Sequence, residues 1–425
     1  MNGSSWVAIA IFLLTYGIIV SEKIHRTKIA LVGAALIILA KIMSQEEAIG
    51  KVDFNTLGLL IGMMIVVAIA MRTGMFQYAA VRLAKAVRGN PARIMSVFFA
   101  FTAVTSAFLD NVTTVLLVTP IIFSITEILR VNPVPFLISE VFASNIGGTA
   151  TLIGDPPNIM IGGATGLGFN DFIVNLTPII LVIGVVTNWL FLMIYRRELV
   201  TSPDAERQIM TLDEKTYLSD IALLKKVLTM LSLIILGFVL HQMLHFESAT
   251  IAMAGAAILL LISGIEPEEI FREVEWNTIF FFVGLFIIVG GLEVTGVIKF
   301  IAEVGLSITH SDPVAMNVII LWLSAIASAF VDNIPFVATM IPLIKAVGEI
   351  GRMDVSAMWW ALSLGACLGG NGTIIGASAN VVVSSIAAGR GYPMTFVRYL
   401  KVAFPMMLVS IIISQVYMYF RYLLH

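Results

Sequence analysis

The chain has 425 residues, of which 59% are apolar and only 12% are charged. An ordinary soluble domain carries about 45–50% apolar and about 25% charged residues, so this composition excludes a soluble globular enzyme and a disordered chain. A formal net charge of −2 gives no field that would recruit nucleic acid, and the single cysteine, Cys367, cannot form an intramolecular disulfide. The composition predicts an integral, multipass membrane protein.

Long apolar runs separated by short polar segments predict a polytopic, all-α protein. The first run is expected to remain as a span, because no basic segment precedes it and no small-residue cleavage site follows it. The predicted spans are residues 5–20, 28–43, 54–71, 137–162, 173–195, 227–244, 249–264, 278–297, 357–388 and 399–421.

Two further apolar blocks, 94–129 and 314–349, are interrupted near their centres by Asp-Asn. Each is too long for one helix and suits two half-length helices. We expect each block to form a re-entrant hairpin that enters and leaves on one side. Backbone that is not helical at this depth is tolerated only inside protein or beside a watery cavity.

Orientation follows from the distribution of basic residues. If the N-terminus is outside, most of the 25 Lys and Arg residues fall on the cytoplasmic side, as the positive-inside rule requires. Both termini are therefore predicted outside, in the inner membrane of a bacterial or archaeal cell. The polar stretch 197–226 is expected to be a cytoplasmic linker.

The two halves of the chain repeat each other. SAFLDN at 106–111 recurs as SAFVDN at 328–333, and GGTATLIG at 147–154 recurs as GGNGTIIG at 369–376. The predicted organisation is a first repeat at 1–196, the linker at 197–226 and a second repeat at 227–425. Each repeat would have five spans and one hairpin, and this odd number of spans inverts the second copy. Inverted repeats with broken helices at the midplane are typical of secondary transporters.

The two hairpin turns and the two glycine-containing spans supply the candidate ligands. Paired glycines and prolines disfavour helix, so both long spans should unwind at the midplane, where carbonyls, amides and carboxylates can hold a cation. The candidate substrate- or ion-binding residues are Asp110, Asn111, Thr113, Thr114, Gly147, Gly148, Thr149, Thr151, Asp155, Asn158, Asp332, Asn333, Gly369, Gly370, Asn371, Thr373, Ser378 and Asn380.

A structural alternative stands beside this interpretation. Asp and Asn are good helix N-caps, so Asp110, Asp155 and Asp332 could serve only as caps, Asp155 especially because the second half has Ala377 there. No GxxxxGK[ST] loop and no catalytic constellation is present. The sequence therefore predicts a transporter and no enzyme, without an organic cofactor.

Four motifs together resemble a known superfamily. DNVTT at 110–114, NIGGTATLIGDPPN at 145–158, FVDNIPF at 330–336 and CLGGNGTIIGASANV at 367–381 are similar to the ion transporter superfamily. The nearest group is that of arsenite efflux permeases (ArsB), NhaD-type sodium/proton antiporters and the melanosomal P-protein. The sodium/dicarboxylate symporters are more remotely similar.

The resemblance implies a homodimer in the lipid bilayer that works by an elevator motion, with residues 5–43 and 227–264 as scaffold. By position it also implies a Na⁺ site at Asn111 and Gly147 and a second at Asn333 and Gly369. No other metal site is expected. Asp110 and Asp332 stand where the symporters have Ser, which favours proton or mixed coupling.

Several functions remain open from the sequence. The leading prediction is cation-coupled efflux of arsenite or antimonite, with Asp110, Asp332 and Asn158 accepting hydrogen bonds from As(OH)₃; a soluble ATPase partner is expected only for an arsenite pump. Sodium/proton antiport is the next. Transport of a dicarboxylate or citrate-like anion ranks third, because no Arg or Lys lies near the motifs. A passive anion channel is the last alternative.

Overall fold

The computed structural model describes residues 3–21 and 23–424, apart from the side chain of Gln242. The described residues form helices and connecting turns. The α-helices are α1 Gly3–Ser21, α2 Arg26–Leu39, α3 Gln45–Gly50, α4 Phe54–Met71, α5 Met75–Ala86, α6 Pro91–Ser106, α7 Asn111–Leu129, α8 Val134–Thr149, α9 Pro156–Thr165, α10 Phe169–Tyr195, α11 Pro203–Met210, α12 Ile221–Leu244, α13 Ser248–Ser263, α14 Pro267–Phe271, α15 Trp276–Val294, α16 Val297–Ile308, α17 Pro313–Phe330, α18 Asn333–Gly351, α19 Ser356–Gly369, α20 Ser378–Gly389 and α21 Phe396–Met418.

The predicted all-helical membrane fold is confirmed. Within the described ranges nine helices are long and apolar enough to cross a membrane: α1, α4, α7, α10, α12, α15, α17, α18 and α21. Polar residues directly before several helices fix their starts. Asp53 accepts hydrogen bonds from the backbone N–H groups of Asn55 and Thr56, and Asp220 accepts from that of Leu223.

Equivalent helices in the two halves begin 222 residues apart. The correspondence holds for α2 with α13, α4 with α15, and for each helix from α5 to α9 with its counterpart from α16 to α20. Left-handed backbone recurs at the same spacing, at Gly74 and Gly296 and at Arg130 and Arg352. The two halves exchange helices: α2 packs on α15, and α13 packs on α4. These helices, with α1 and α12, form one packed group, which we call the scaffold group; it extends beyond the scaffold spans implied by the resemblance, because α4 and α15 belong to it.

The hairpins turn at Asp-Asn as predicted, and each arm has about half the length of its apolar block. Helices α6, α7, α17 and α18 contain 16, 19, 18 and 19 residues, which corresponds to about 24–29 Å at 1.5 Å per residue. Pro120 and Pro342 are accommodated inside α7 and α18 without ending them.

Both long spans are broken, also as predicted. Residues 150–155 separate α8 from α9, and residues 370–377, which contain two short 3₁₀ turns, separate α19 from α20. The glycines have a different role from the one expected. Gly147 is still helical, and a Cβ on it would lie 2.1 Å from Ala103 O; one on Gly369 would lie 2.5 Å from Ala325 O. These glycines let α8 and α19 pack closely against the first arms of the hairpins.

The segment 197–226 has structure of its own. It contains α11 and a 3₁₀ turn at Glu214–Tyr217, and it packs on α5 and α7. Lys85 Nζ donates to Glu214 Oε2 at 2.5 Å and to Leu212 O at 2.7 Å. The hydrogen bond from Lys85 holds the pKa of Glu214 below its usual value.

Candidate functional site

The two hairpin turns and the two breaks meet at one small central cavity of about 20 Å³. A volume of that size holds a single water-sized occupant. The first residues of α7, α9, α18 and α20 all line it. The scaffold group completes its wall. The complete lining is Arg26, Leu60, Met64, Asp110, Asn111, Val112, Asp155, Pro156, Glu275, Thr278, Asn333, Ile334 and Ser378.

Asp155 is the central carboxyl group of this cavity. Its side chain is fully buried, and its Oδ1 accepts from Asn111 Nδ2 and Asn333 Nδ2, each at 3.4 Å. Its Oδ2 is buried and has no hydrogen-bond partner among the described residues. Asp155 makes no side-chain capping bond to α9, so the capping alternative does not account for it. A buried carboxylate oxygen without a donor requires a compensating cation or proton.

Asp110 and Asp332 do act as N-caps. Asp110 Oδ1 accepts from Thr113 N at 2.9 Å, and its Oδ2 accepts from Thr113 Oγ1 at 2.5 Å. Asp332 Oδ1 accepts from Ile334 N at 3.1 Å. Its Oδ2 lies outside the cap and faces the scaffold group. The capping alternative therefore accounts for both oxygens of Asp110 and for one oxygen of Asp332.

A second layer of amides joins the halves behind Asp155. Asn145 Nδ2 donates to Asn371 Oδ1 at 2.9 Å and to Asn380 Oδ1 at 3.1 Å. The equivalent of Asn145 in the second half is Cys367, whose Sγ lies 3.7 Å from Asn158 Oδ1. Asn145 of the first half thus contacts Asn380 of the second half, and Cys367 of the second half contacts Asn158 of the first. Asn145 is absent from the predicted site residues, although it is the first residue of the motif NIGGTATLIGDPPN at 145–158.

The threonines and the remaining asparagine contacts hold the breaks in shape. Asn158 Nδ2 donates to Thr149 O and Thr151 O, at 3.1 and 2.8 Å; Asn380 Nδ2 donates to Gly370 O and Thr373 O, at 2.7 and 2.8 Å. The hydroxyl groups of Thr151 and Thr373 donate to backbone carbonyls at the ends of the first hairpin arms. These residues organise the site and do not line its cavity.

Arg26 is the most consequential residue that the sequence did not reveal. Its guanidinium donates to Asp332 Oδ2 at 2.6 Å and to Ser378 Oγ at 2.7 Å, and it lies over the ring of Phe281. No Arg or Lys lies near the motifs along the sequence, but Arg26 lies beside them in the folded protein. The inference that no basic side chain lies near them was therefore wrong. No local pattern signals this contact, because Arg26 and Asp332 are 306 residues apart.

The Arg26–Asp332 pair stands between two cavities. On its outer side lies an open cavity of about 290 Å³ lined by residues of α1, α2, α17 and α20, including Arg26, Asp332 and Ser378. On its inner side lies the central cavity, which Arg26 and Ser378 also line. The ion pair therefore separates the central carboxyl group from the outer space.

Glu275 adds another carboxyl group to the cavity wall. Its Oε2 accepts from Thr278 Oγ1 at 3.0 Å. The repeat could have identified it, because Asp53 occupies the equivalent position and makes the same bond to Thr56. The scaffold group therefore provides one cation, Arg26, and one carboxyl group to the site.

Not all predicted partners come together. Asp110, Asn111, Asp155, Asn333 and Ser378 line the central cavity. Asp332 contacts Arg26, which lines the cavity. Asn371 and Asn380 accept hydrogen bonds from Asn145, in the layer behind the cavity. The predicted Na⁺ pairs, Asn111 with Gly147 and Asn333 with Gly369, stay predictions; the Cα faces of the two glycines pack against Ala103 and Ala325. Gly148 and Gly370 pack against the backbone of the breaks. Thr114 is fully buried, and its hydroxyl group has no partner among the described residues.

The charges at the cavity nearly balance. Asp110, Asp155, Asp332 and Glu275 face Arg26 and four helix N-termini, each of which carries about half a positive charge. Arg26 and the helix ends offset about three of the four carboxylates. With all four carboxyl groups ionised, about one negative charge would remain, which one bound cation or one proton would neutralise.

Known proteins resemble this chain along its whole length. A family model described as citrate transporter matches residues 16–365. A Mycobacterium tuberculosis protein described as an uncharacterized transporter is 40% identical over 429 residues, covering 99% of this chain and 100% of that protein. The human P protein is 34% identical over 496 residues, covering 97% of this chain and 59% of that longer protein; the predicted resemblance to the P-protein group is confirmed.

A solved structure shares the fold. The crystal structure of the Alcanivorax borkumensis YdaH transporter superposes with a TM-score of 0.58 and 14% identity, covering 98% of both chains. At that identity the likeness concerns the fold alone. The family match and the relatives show what the chain is: it belongs to the citrate transporter family of membrane transporters.

Proposed function

We propose that this protein is a cation-coupled secondary transporter in which Asp155 binds the coupling cation, Na⁺ or H⁺. The observation that carries the proposal is the unpartnered Oδ2 of Asp155 in a cavity of about 20 Å³. That space accepts a bare ion or a proton and is too small for an organic anion. The excess of carboxyl groups over cationic side chains at the cavity supports the same conclusion.

Asn111 and Asn333 are suited to a Na⁺ ligand set. In the described arrangement both amides donate to Asp155. Rotation of either amide by 180° would present its oxygen to a cation, because an asparagine side chain carries both a donor and an acceptor. A proton on Asp155 would need no such rotation. Both coupling ions are therefore compatible with one site, and sodium/proton exchange is the simplest activity that uses it.

A carboxylate anion is the second candidate cargo. Three of the four helix N-termini at the cavity have Asp at the N-cap position, and α20 has Ala377 instead. Asp332 Oδ2 occupies the space beside that helix end, where it accepts from Ser378 and Arg26. A carboxylate arriving through the outer cavity could replace Asp332 on Arg26 and Ser378. The description of the matching family as citrate transporter supports this cargo.

Arsenite efflux, the leading function from the sequence, now has less support. Both oxygens of Asp110 are engaged by Thr113. Asn158 Oδ1 accepts from Ser363 Oγ at 2.5 Å and lies behind the break. Asp332 accepts from Ile334, Arg26 and Ser378. All three groups expected to accept hydrogen bonds from As(OH)₃ are thus already engaged.

We further propose that the hairpins and broken helices move together against the scaffold group, in an elevator motion, and that the protein is a homodimer. The ion pair of Arg26 with Asp332 and the bond from Tyr16 Oη to Pro335 O, 2.8 Å, join the scaffold group to the second hairpin. Few polar contacts would have to break for the two parts to slide.

The experiment uses purified protein in proteoliposomes loaded with a pH-sensitive dye. A Na⁺ jump should change the internal pH in the wild type and in Glu349→Gln, a remote exposed carboxyl on α18. Asp155→Asn should abolish the change. Parallel uptake of labelled citrate and arsenite identifies the cargo. Dye and tracer signals in Asp155→Asn equal to those of the wild type would refute the proposal.

A further inference from the structure

A second cavity lies on the outer face of the first half, away from the ion site. It is a cleft of about 400 Å³ between α6, α8 and α10, and its wall is almost entirely apolar. Small residues, among them Ala100, Ala103 and Gly184, form its base. Its edges are lipid-facing side chains: Val104, Leu181 and Val185 are 62%, 64% and 71% exposed. We call this space the α6–α10 cleft.

The equivalent space in the second half is filled by aromatic side chains. Ala100 corresponds to Trp322 at the 222-residue spacing. Alignment of α10 with α21 on their internal prolines, Pro178 and Pro405, pairs Thr177 with Phe404. Phe404 contacts the break at Gly372, and Trp322 Nε1 donates to Gln415 Oε1 at 3.2 Å.

The same packing site is thus closed by protein in one half and left open in the other. Apolar walls without partner atoms lose dispersion contacts, so the open copy favours an apolar occupant. The cleft opens onto the lipid-facing surface, and its size is that of a typical small-molecule pocket. Ile173 and Asn188 mark its two ends, which at 1.5 Å per residue lie about 22 Å apart along α10.

This elongated shape suits a single hydrocarbon chain. Two polar side chains meet at one end of the cleft, where Asn188 Nδ2 donates to Ser96 Oγ at 3.2 Å. The Oδ1 of Asn188 is buried and has no partner among the described residues. We infer that the α6–α10 cleft binds one acyl chain of a bilayer lipid, with the head-group end towards Ser96 and Asn188.

A bound acyl chain would contact the backbone segment that leads to the proposed ion site. Gly147, Ala150 and Thr151 form part of the cleft wall, and Thr177 Oγ1 donates to Ala150 O at 2.9 Å. Ala150 and Thr151 begin the break that ends at Asp155. An acyl chain in the cleft therefore supports the backbone segment that the second half supports with Phe404.

The test is photolabelling of the protein in nanodiscs made of phosphatidylcholine with a photoactivatable acyl chain. Peptides of α6 and α10 that line the cleft should be labelled more strongly than the equivalent surface of α17 and α21. Ala100→Trp, which copies Trp322, should lower the cleft label about tenfold, equivalent to about 1.4 kcal/mol. Gly184→Leu is a second filling variant, because a Cβ there meets only ordinary contacts at 3.7 and 3.9 Å.

The matched control is Val182→Phe, which adds an aromatic ring to the exposed face of α10 outside the cleft. Its cleft label should equal that of the wild type. Equal labelling of α10 and α21, or an unchanged cleft label in a correctly folded Gly184→Leu protein, would overturn the inference. Cross-linking of the cleft to a second copy of the chain would also overturn it, because a protein interface would then cover the cleft.

Discussion

The guanidinium of Arg26 donates to the carboxylate of Asp332 at 2.6 Å, although 306 residues separate the two. The pair links the start of α2, in the scaffold group, to the turn of the second hairpin. It also divides the outer cavity from the central one. A partly buried pair with a further bond to Ser378 is stronger than an exposed surface pair. We therefore expect its rupture to be a step in access to Asp155.

Removal of Arg26 should open the central cavity. Val112 lines that cavity, and its replacement by Cys, in a Cys367→Ser background, provides a reporter thiol. Arg26→Gln should speed modification of this thiol by a membrane-impermeant methanethiosulfonate about tenfold, because loss of the pair is worth about 1.4 kcal/mol or more. Lys28→Gln, an exposed charge on the same helix, should leave the rate unchanged. Equal rates in Arg26→Gln and the parent would show that the pair is no barrier.

The amide of Asn145 should matter more for stability than the thiol of Cys367. Asn145→Ala removes the donor of two buried hydrogen bonds and leaves two buried acceptors unpaired, a cost of about 2–4 kcal/mol. Cys367→Ala removes a weak donor from Asn158, which retains its bond from Ser363, and should cost about 1 kcal/mol. Thermal unfolding in detergent compares the two variants. Destabilisation of Cys367→Ala equal to that of Asn145→Ala would contradict this account.

Two glycines of neighbouring helices should respond in opposite directions to alanine. Gly147→Ala places a Cβ 2.1 Å from Ala103 O, so α6 and α8 must separate, at a cost of about 1–3 kcal/mol. Gly184→Ala adds a methyl group with ordinary contacts and improves helix propensity by about 0.8 kcal/mol. The unfolding midpoints should therefore fall for Gly147→Ala and rise for Gly184→Ala. A rise for both would refute close packing at Gly147.

The linker should detach in acid. Because the hydrogen bond from Lys85 lowers the pKa of Glu214, ionised Glu214 stabilises the docked linker above its usual pKa of 4.5, and this contribution is lost as the pH falls through the lowered value. Hydrogen exchange of residues 203–217, corrected for its intrinsic pH dependence, should increase in that range. Glu214→Gln should exchange faster at neutral pH and lose the acid step. Asp204→Asn, in the exposed pair with Arg207, should behave like the wild type; an acid step retained in Glu214→Gln would exclude Glu214 as its origin.

The sequence predicted the structural features that recur in both halves of the chain. The Asp-Asn turns, the two broken spans and the convergence of Asp110, Asp155 and Asn333 follow from polar residues placed at equal spacing in two apolar halves. Arg26 could not be predicted, because a contact across 306 residues leaves no local pattern. Gly147 was assigned to unwinding, since helix propensity is visible in a sequence and the approach of Ala103 is not.

The central claim is that Asp155 binds the coupling cation, and binding alone moves charge within the protein. Solid-supported membrane electrophysiology measures this movement as a transient current when Na⁺ or H⁺ is added without cargo. The wild type and Glu349→Gln should give a saturable transient for at least one of the two ions. Asp155→Asn, which keeps the size of the side chain and removes its charge, should give none. A transient of wild-type amplitude and affinity in Asp155→Asn would place the cation elsewhere and contradict the account.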